Sequence, residues 1–141
     1  MNAQKTAEKA KGFVSNIAIE AVENRNFRRV VYTGNHLQLV LMSLGAGEEI
    51  GLEVHEDTDQ FFRVESGLAI CIVNDTEHEI GSGDVLIVPA GAKHNVINAD
   101  PERELKLYTV YAPPHHKDGI VRATKADAIK FEAEFDGVTT E

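Results

Sequence analysis

An all-β sandwich or barrel is the fold class that this 141-residue sequence predicts, and three observations carry it. Short apolar runs rich in Val, Ile, Leu, Phe and Tyr follow one another from residue 27 to residue 113. Gly, Asn, Asp or Pro separates most of them, as turns require. Only the tail, residues 114–141, places apolar residues at helical spacing.

The first two runs, "FRRVVYT" (27–33) and "HLQLVLMSL" (36–44), flank the dipeptide "GN", a hairpin-type turn. Next come "IGLEVH" (50–55), "QFFRVES" (60–66), "LAICIV" (68–73) and "HEI" (78–80). "VLIVPA" (85–90), "HNVINA" (94–99) and "LKLYTVYAP" (105–113) complete the strand set. In the tail, Thr124 caps "KADAIKFEAEF", with Asp127 at the third helical position of a capping-box-like start. Ala128, Phe131 and Phe135 then recur at helical spacing, and "DG" ends the run. The expectation is a short C-terminal helix packed on the outside of a barrel. No repeat or composition shift divides the chain, so residues 1–141 read as one domain with a barrel core at about 27–113.

Composition narrows the function classes. Fourteen basic against 23 acidic residues give a formal net charge of −9. Nucleic acid and anionic membrane surfaces both call for a basic face, so neither is an expected partner. The single cysteine, Cys71, lies in an apolar run and reads as a buried, inert thiol. The N-terminal "MNAQKTAEKAKG" is charged and lacks an apolar core, and no apolar run approaches the ~20 residues of a membrane span. A cytoplasmic location is the expectation.

Glu53 and His55 stand two apart in a strand, so their side chains project from one face. Two readings are open at this point: a solvated polar strand face, or half of a metal site. The wider spacing bears on the choice. Gly47 is followed by five residues, Glu53-Val54-His55, four residues, Gln60, six residues and Gly67. Gly83 is followed by five residues, Pro89-Ala90-Gly91, two residues, His94, three residues and Asn98. The stretch from Leu68 to Ser82 separates the two patterns.

These intervals resemble the two motifs of the cupin family. The resemblance implies a double-stranded β-helix barrel and one divalent metal per chain, bound by Glu53, His55, Gln60 and His94. Glu53 stands where the family has its first histidine, and Gln60 where it has glutamate. Formal ligand charge is unchanged by the exchange, but the donors are harder, which favours Mn, Fe, Ni, Co or Zn over Cu(I). Four such ligands in an octahedral shell leave two adjacent positions for water or substrate. The segments "HLQLVLMSL", "EVHEDTDQFFRVESG", "VPAGAKHNVIN" and "LYTVYAPPHHKDG" are similar to a cupin subgroup labelled mannose-6-phosphate isomerase-like. Small cupins of this kind also imply a homodimer, and the strand "FRRVVYT" offers an edge that a second subunit would cover.

The resemblance therefore implies a metal-dependent, isomerase-type enzyme acting on a small oxygen-rich molecule, a sugar or a keto or hydroxy acid. His36 is the first candidate for the general base, with Glu53 as another. The alternatives are a non-catalytic ligand-binding cupin, or an Fe-dependent dioxygenase using Glu53, His55 and His94. A storage or structural role is the least favoured. Phe62 and Val64 share the Gln60 face and are expected as apolar walls. Gln38 shares a face with His36 and Val40 near the barrel mouth. His78 is expected in an exposed hairpin, His115 and His116 in a solvated loop, and Asp57 and Asp59 in a turn. Asn98 is expected to close a loop, and Tyr108 and Tyr111 to pack in the barrel wall. Whether the tail covers the barrel mouth is left open by the sequence.

Overall fold

A computed structural model describes residues 8–141. Among the described residues, ten strands follow a short helix, α1 (Ile17–Glu23). They are β1 (Arg28–Thr33), β2 (Gln38–Leu44), β3 (Glu53–Val54), β4 (Asp59–Ser66) and β5 (Leu68–Val73), then β6 (Thr76–Gly81), β7 (Val85–Val88), β8 (Lys93–Asn98), β9 (Leu105–Ala112) and β10 (Val121–Arg122). A second helix, α2 (Lys125–Lys130), follows them. Two antiparallel sheets result, in the orders β10-β1-β2-β9-β4-β7 and β3-β8-β5-β6. No helix among the described residues is long and apolar enough to cross a membrane.

Alternation builds the core between the sheets. On β4, Gln60, Phe62 and Val64 are buried while Phe61, Arg63 and Glu65 are not. Phe62 and Val64 share a core cluster with Met42 and Leu44 of β2, Leu105 and Leu107 of β9, and Ala69, Cys71 and Val96 of the second sheet. Burial pushes the Cys71 thiol up to about 11, so it stays protonated and inert. Gly67 joins β4 to β5 at φ +101°, and a Cβ there would lie 2.7 Å from the Glu104 carbonyl, so only glycine fits. Asn98 closes its loop, donating to the carbonyls of Leu44, Gly45 and Arg103.

Four features depart from the sequence reading. First, α1 had no counterpart there. Asn16 caps it by accepting from the Ile19 amide, yet Ala21 is its one buried residue, so its apolar pattern is weak. Second, "IGLEVH" contributes only Glu53–Val54 to a strand. Third, Thr124 caps α2 through the Asp127 amide as expected, but the helix stops at Lys130. The next residues run extended, because Lys117 donates to the Ala133 carbonyl and Phe135 to that of His115. Fourth, the β1 edge is covered by the chain itself. β10 pairs with it at Arg28 and Arg29, Val30 donates to the Ile120 carbonyl, and Thr140 bonds Thr33 in both directions. That edge therefore offers nothing for a second subunit to complete.

Candidate metal centre

Register brings the first two groups together. Glu53 on β3 lies directly opposite His94 on β8, so their side chains are cross-strand neighbours. His55 follows one residue beyond the end of β3, and its carbonyl accepts from the amide of Gly91. That bond ties the turn before β8 to the segment carrying Glu53 and His55. One ligand atom from each of Glu53, His55 and His94 lies within 4.8 Å of the others, which makes the three a candidate metal-binding triad.

The hydrogen bonding around these atoms suits a cation. The Nδ1 of His94 donates to the Ala92 carbonyl at 3.2 Å, leaving Nε2 with its lone pair exposed. Nε2 of His55 is buried and pairs with Oε2 of Glu53 at 2.7 Å. Gln60, 3% exposed, donates from Nε2 to Oγ1 of Thr109 at 3.0 Å, while its Oε1 is buried without any partner. Tyr111 is the cross-strand partner of Gln60, and its ring centroid lies 5.8 Å from that of His55. An unpaired buried acceptor is costly, about 1–3 kcal/mol, so Gln60 Oε1 accompanying this donor set fits a bound cation. The Phe62 ring stands 6.1 Å from His94 as an apolar wall, as the alternation predicts.

Electrostatics point the same way. Burial alone would raise the Glu53 carboxyl, but the bond and charge of His55, with Arg28 and His94, hold it below the usual carboxylate range. Burial lowers His94, against the opposing pulls of its Ala92 bond and Glu53 and with a further lowering from His55. A carboxylate and a neutral imidazole are the forms that bind a metal.

Above the triad is a cavity of about 400 Å³, whose walls include Arg28, Glu53, His55, His115 and His116. The tail roofs it: Ala128 and Ile129 of α2, with Phe131 to Glu134 beyond, line the same space. The short C-terminal helix thus sits over the barrel mouth rather than on the barrel's outside.

Two expectations need correcting here. His36 is exposed in the β1–β2 turn and does not line the cavity, so it is out of place as a base. His115 and His116 are not solvated loop residues. The His115 ring lies 4.4 Å from that of His55 and stacks on Tyr111 at 5.4 Å. His116 is 8% exposed and its Nε2 is 3.2 Å from the Tyr111 hydroxyl. The expectation that adjacent histidines face apart fails here, since the two rings touch edge to face, with centroids 4.7 Å apart at 76°, and both pack on Tyr111. What it lacks is Gln38. This fully buried amide accepts from the His115 and His116 amides and donates to the His116 carbonyl and to Thr33, pinning the loop inward. Burial depresses both histidines, His116 to about 2, with Arg28 and neighbouring histidines adding to the fall. An amide buried near the end of a strand was the available signal for this clamp.

Comparison with known proteins bears on this geometry. The profile of the cupin domain matches residues 40–111, just over half the chain. An uncharacterized protein of Bacillus subtilis (strain 168), YrkC, is 44% identical over 128 residues, spanning 86% of this chain and 68% of its own. A crystal structure of a Bacillus halodurans protein superposes with a TM-score of 0.83 at 44% identity, covering 86% of this chain and 96% of that one. Quercetin 2,3-dioxygenase of Bacillus subtilis (strain 168) is 28% identical over 89 residues, which is 63% of this chain and 26% of that enzyme.

Proposed function

From the premise that the chain belongs to the cupin family, we propose that it is a metal-dependent enzyme that moves a proton on a small oxygen-rich substrate, in an isomerase-type reaction. One observation carries the reading: Glu53, His55 and His94 bring their ligand atoms together at the edge of a cavity, accompanied by a buried acceptor without a partner, Gln60 Oε1. Glu53, His55, His94 and Gln60 would hold one divalent ion, from Mn, Fe, Ni, Co or Zn. Such an ion supplies Lewis acidity to a carbonyl or hydroxyl oxygen of the substrate.

The remaining roles belong to side chains. His115 replaces His36 as the proton carrier, because its imidazole is held neutral, lines the cavity and stacks against His55 and Tyr111. Gln38 positions it through the loop backbone. Ala128, Ile129 and Phe131 of the tail border the cavity on one side. A dioxygenase is the second reading. Glu53, His55 and His94 form a two-histidine, one-carboxylate set suited to Fe(II), and a quercetin dioxygenase is among the similar proteins.

The test is exchange of substrate carbon-bound hydrogen in D₂O, followed by NMR, on protein loaded with each of the five metals. Sugars, 2-hydroxy acids and 2-keto acids are the compounds offered. Exchange next to a carbonyl or hydroxyl, lost in His115→Gln with metal retained, supports the isomerase reading. Oxygen consumption without such exchange supports the dioxygenase. Neither, with every metal, leaves a ligand-binding protein and ends the enzymatic proposal.

A further inference from the structure

We infer that the cavity takes a small carboxylic acid, and that Arg28 grips its carboxylate beside the metal; this deepens the proposed function and rests on it. The argument begins with a pair of arginines. Arg28 on β1 and Arg122 on β10 are directly opposite in antiparallel register, so both side chains leave one face of the sheet. Like charges in that position repel unless each has a partner. Arg122 has one: its Nε and Nη2 donate to the Phe131 carbonyl at 3.0 and 2.7 Å, fastening the roof. Arg28 has none. It makes no ion pair with a described carboxylate, and its Nε is buried without a hydrogen-bond partner. Its side chain nevertheless lines the cavity together with Glu53, His115 and His116.

Charge balance then specifies the ligand. Inside the cavity, Arg28 and the divalent ion that the triad would hold face a single carboxylate, Glu53. Glu132 and Glu134 also line the space but are exposed at its rim, where water screens them. An anion completes the interior; a neutral sugar would leave the guanidinium unpaired. The planar fork of arginine matches the two oxygens of a carboxylate. A donor oxygen on the adjacent carbon would turn toward Glu53 and His55. The chemical class is therefore a 2-hydroxy or 2-keto acid, rather than a neutral carbohydrate.

The test uses lactate and its neutral amide, lactamide, titrated by calorimetry into full-length protein loaded with Mn²⁺. Metal stoichiometry is measured separately on each sample. Lactate should bind wild type about 10- to 100-fold more tightly than lactamide, the range expected of a charge-assisted, two-pronged contact. Arg28→Gln should erase that preference with metal content unchanged, and Arg28→Lys, which keeps charge but not the fork, should fall between. Equal affinities in wild type, no binding of either compound, or an undiminished preference in Arg28→Gln overturns the proposal. If wild type takes up no Mn²⁺, the metal reading fails. The same pair titrated into metal-free protein then judges Arg28 alone: a preference for lactate that Arg28→Gln removes sustains the carboxylate site, and equal affinity overturns it.

Discussion

Replacing Gln60 with Glu probes the metal centre at its least ordinary member. In the fold, Gln60 is buried, its Nε2 bonds Thr109, and its Oε1 has no partner. In Gln60→Glu, the Thr109 hydroxyl can reverse and donate to one carboxylate oxygen. The other oxygen takes the unpartnered place and carries charge into it. Without metal, that charge is destabilising, but the penalty has a ceiling. The carboxyl can escape by binding a proton, so at pH 7 the loss is at most the cost of raising its pKa from ~4.3 to 7, about 4 kcal/mol. At roughly 2.1 cal/mol/K per residue, a chain of this length would melt up to about 13 °C lower. A carboxyl raised in the fold destabilises only above its unfolded pKa, so the deficit should shrink as pH falls and vanish near ~4.3. With metal present the sign should reverse, because the new carboxylate meets a cation. Affinity should rise at least about tenfold, and the loaded variant should melt above the loaded wild type. Thermal melts at two pH values, with and without a metal titration, read all of this. A deficit that metal leaves unchanged, or no deficit in the metal-free protein, would refute the assignment of Gln60.

Three further predictions follow from the clamp and the roof. His116 is held neutral, down to about 2, by burial first and then by Arg28, His115, His55 and Arg122. Its contribution is complete above the unfolded value of ~6.5 and is lost as pH falls, at about 1.4 kcal/mol per pH unit. His116→Gln should therefore flatten the acid limb of stability relative to wild type, and an unaltered slope in urea titrations would count against it. Gln38→Leu strips the His115 and His116 amides of their acceptor, so unfolding free energy should drop by about 2–5 kcal/mol, and a change under ~1 kcal/mol would contradict the clamp. Arg122→Met should cost less than about 1 kcal/mol globally, yet speed amide exchange at Lys117 and Phe135, whose bonds hold the roof; unchanged exchange there would show the roof does not depend on Arg122.

The barrel was legible because its signals are local and repeated. Alternation on β4 put Gln60, Phe62 and Val64 on one face, and the intervals from Gly47 to Gly67 and from Gly83 to Asn98 placed the triad-bearing segments. What escaped depends on contacts distant in sequence. Val121–Arg122 becomes a strand only because the β1 edge is available to it. Phe131 to Phe135 keeps helical spacing in sequence but is drawn out by the backbone of His115 and Lys117. The inward histidines could not be recognised without Gln38, 78 positions from His116. His36 misled for the converse reason: its strand neighbours look inward, but it stands in the turn before β2 begins. Ligand geometry likewise waited on the pairing of Glu53 with His94, which no spacing rule states.

The central claim is that Glu53, His55, Gln60 and His94 hold one divalent ion. Elemental analysis of wild type and His94→Ala, both purified without chelators and then offered each candidate metal, tests it most directly. His94 is the imidazole whose free Nε2 is set by the Ala92 bond, and the β core does not depend on its side chain alone. The account predicts close to one metal per wild-type chain and less than about a tenth of that in His94→Ala, against an unchanged β-sheet circular dichroism spectrum. Stoichiometric metal in His94→Ala, or none in wild type with any of the five ions, would contradict it.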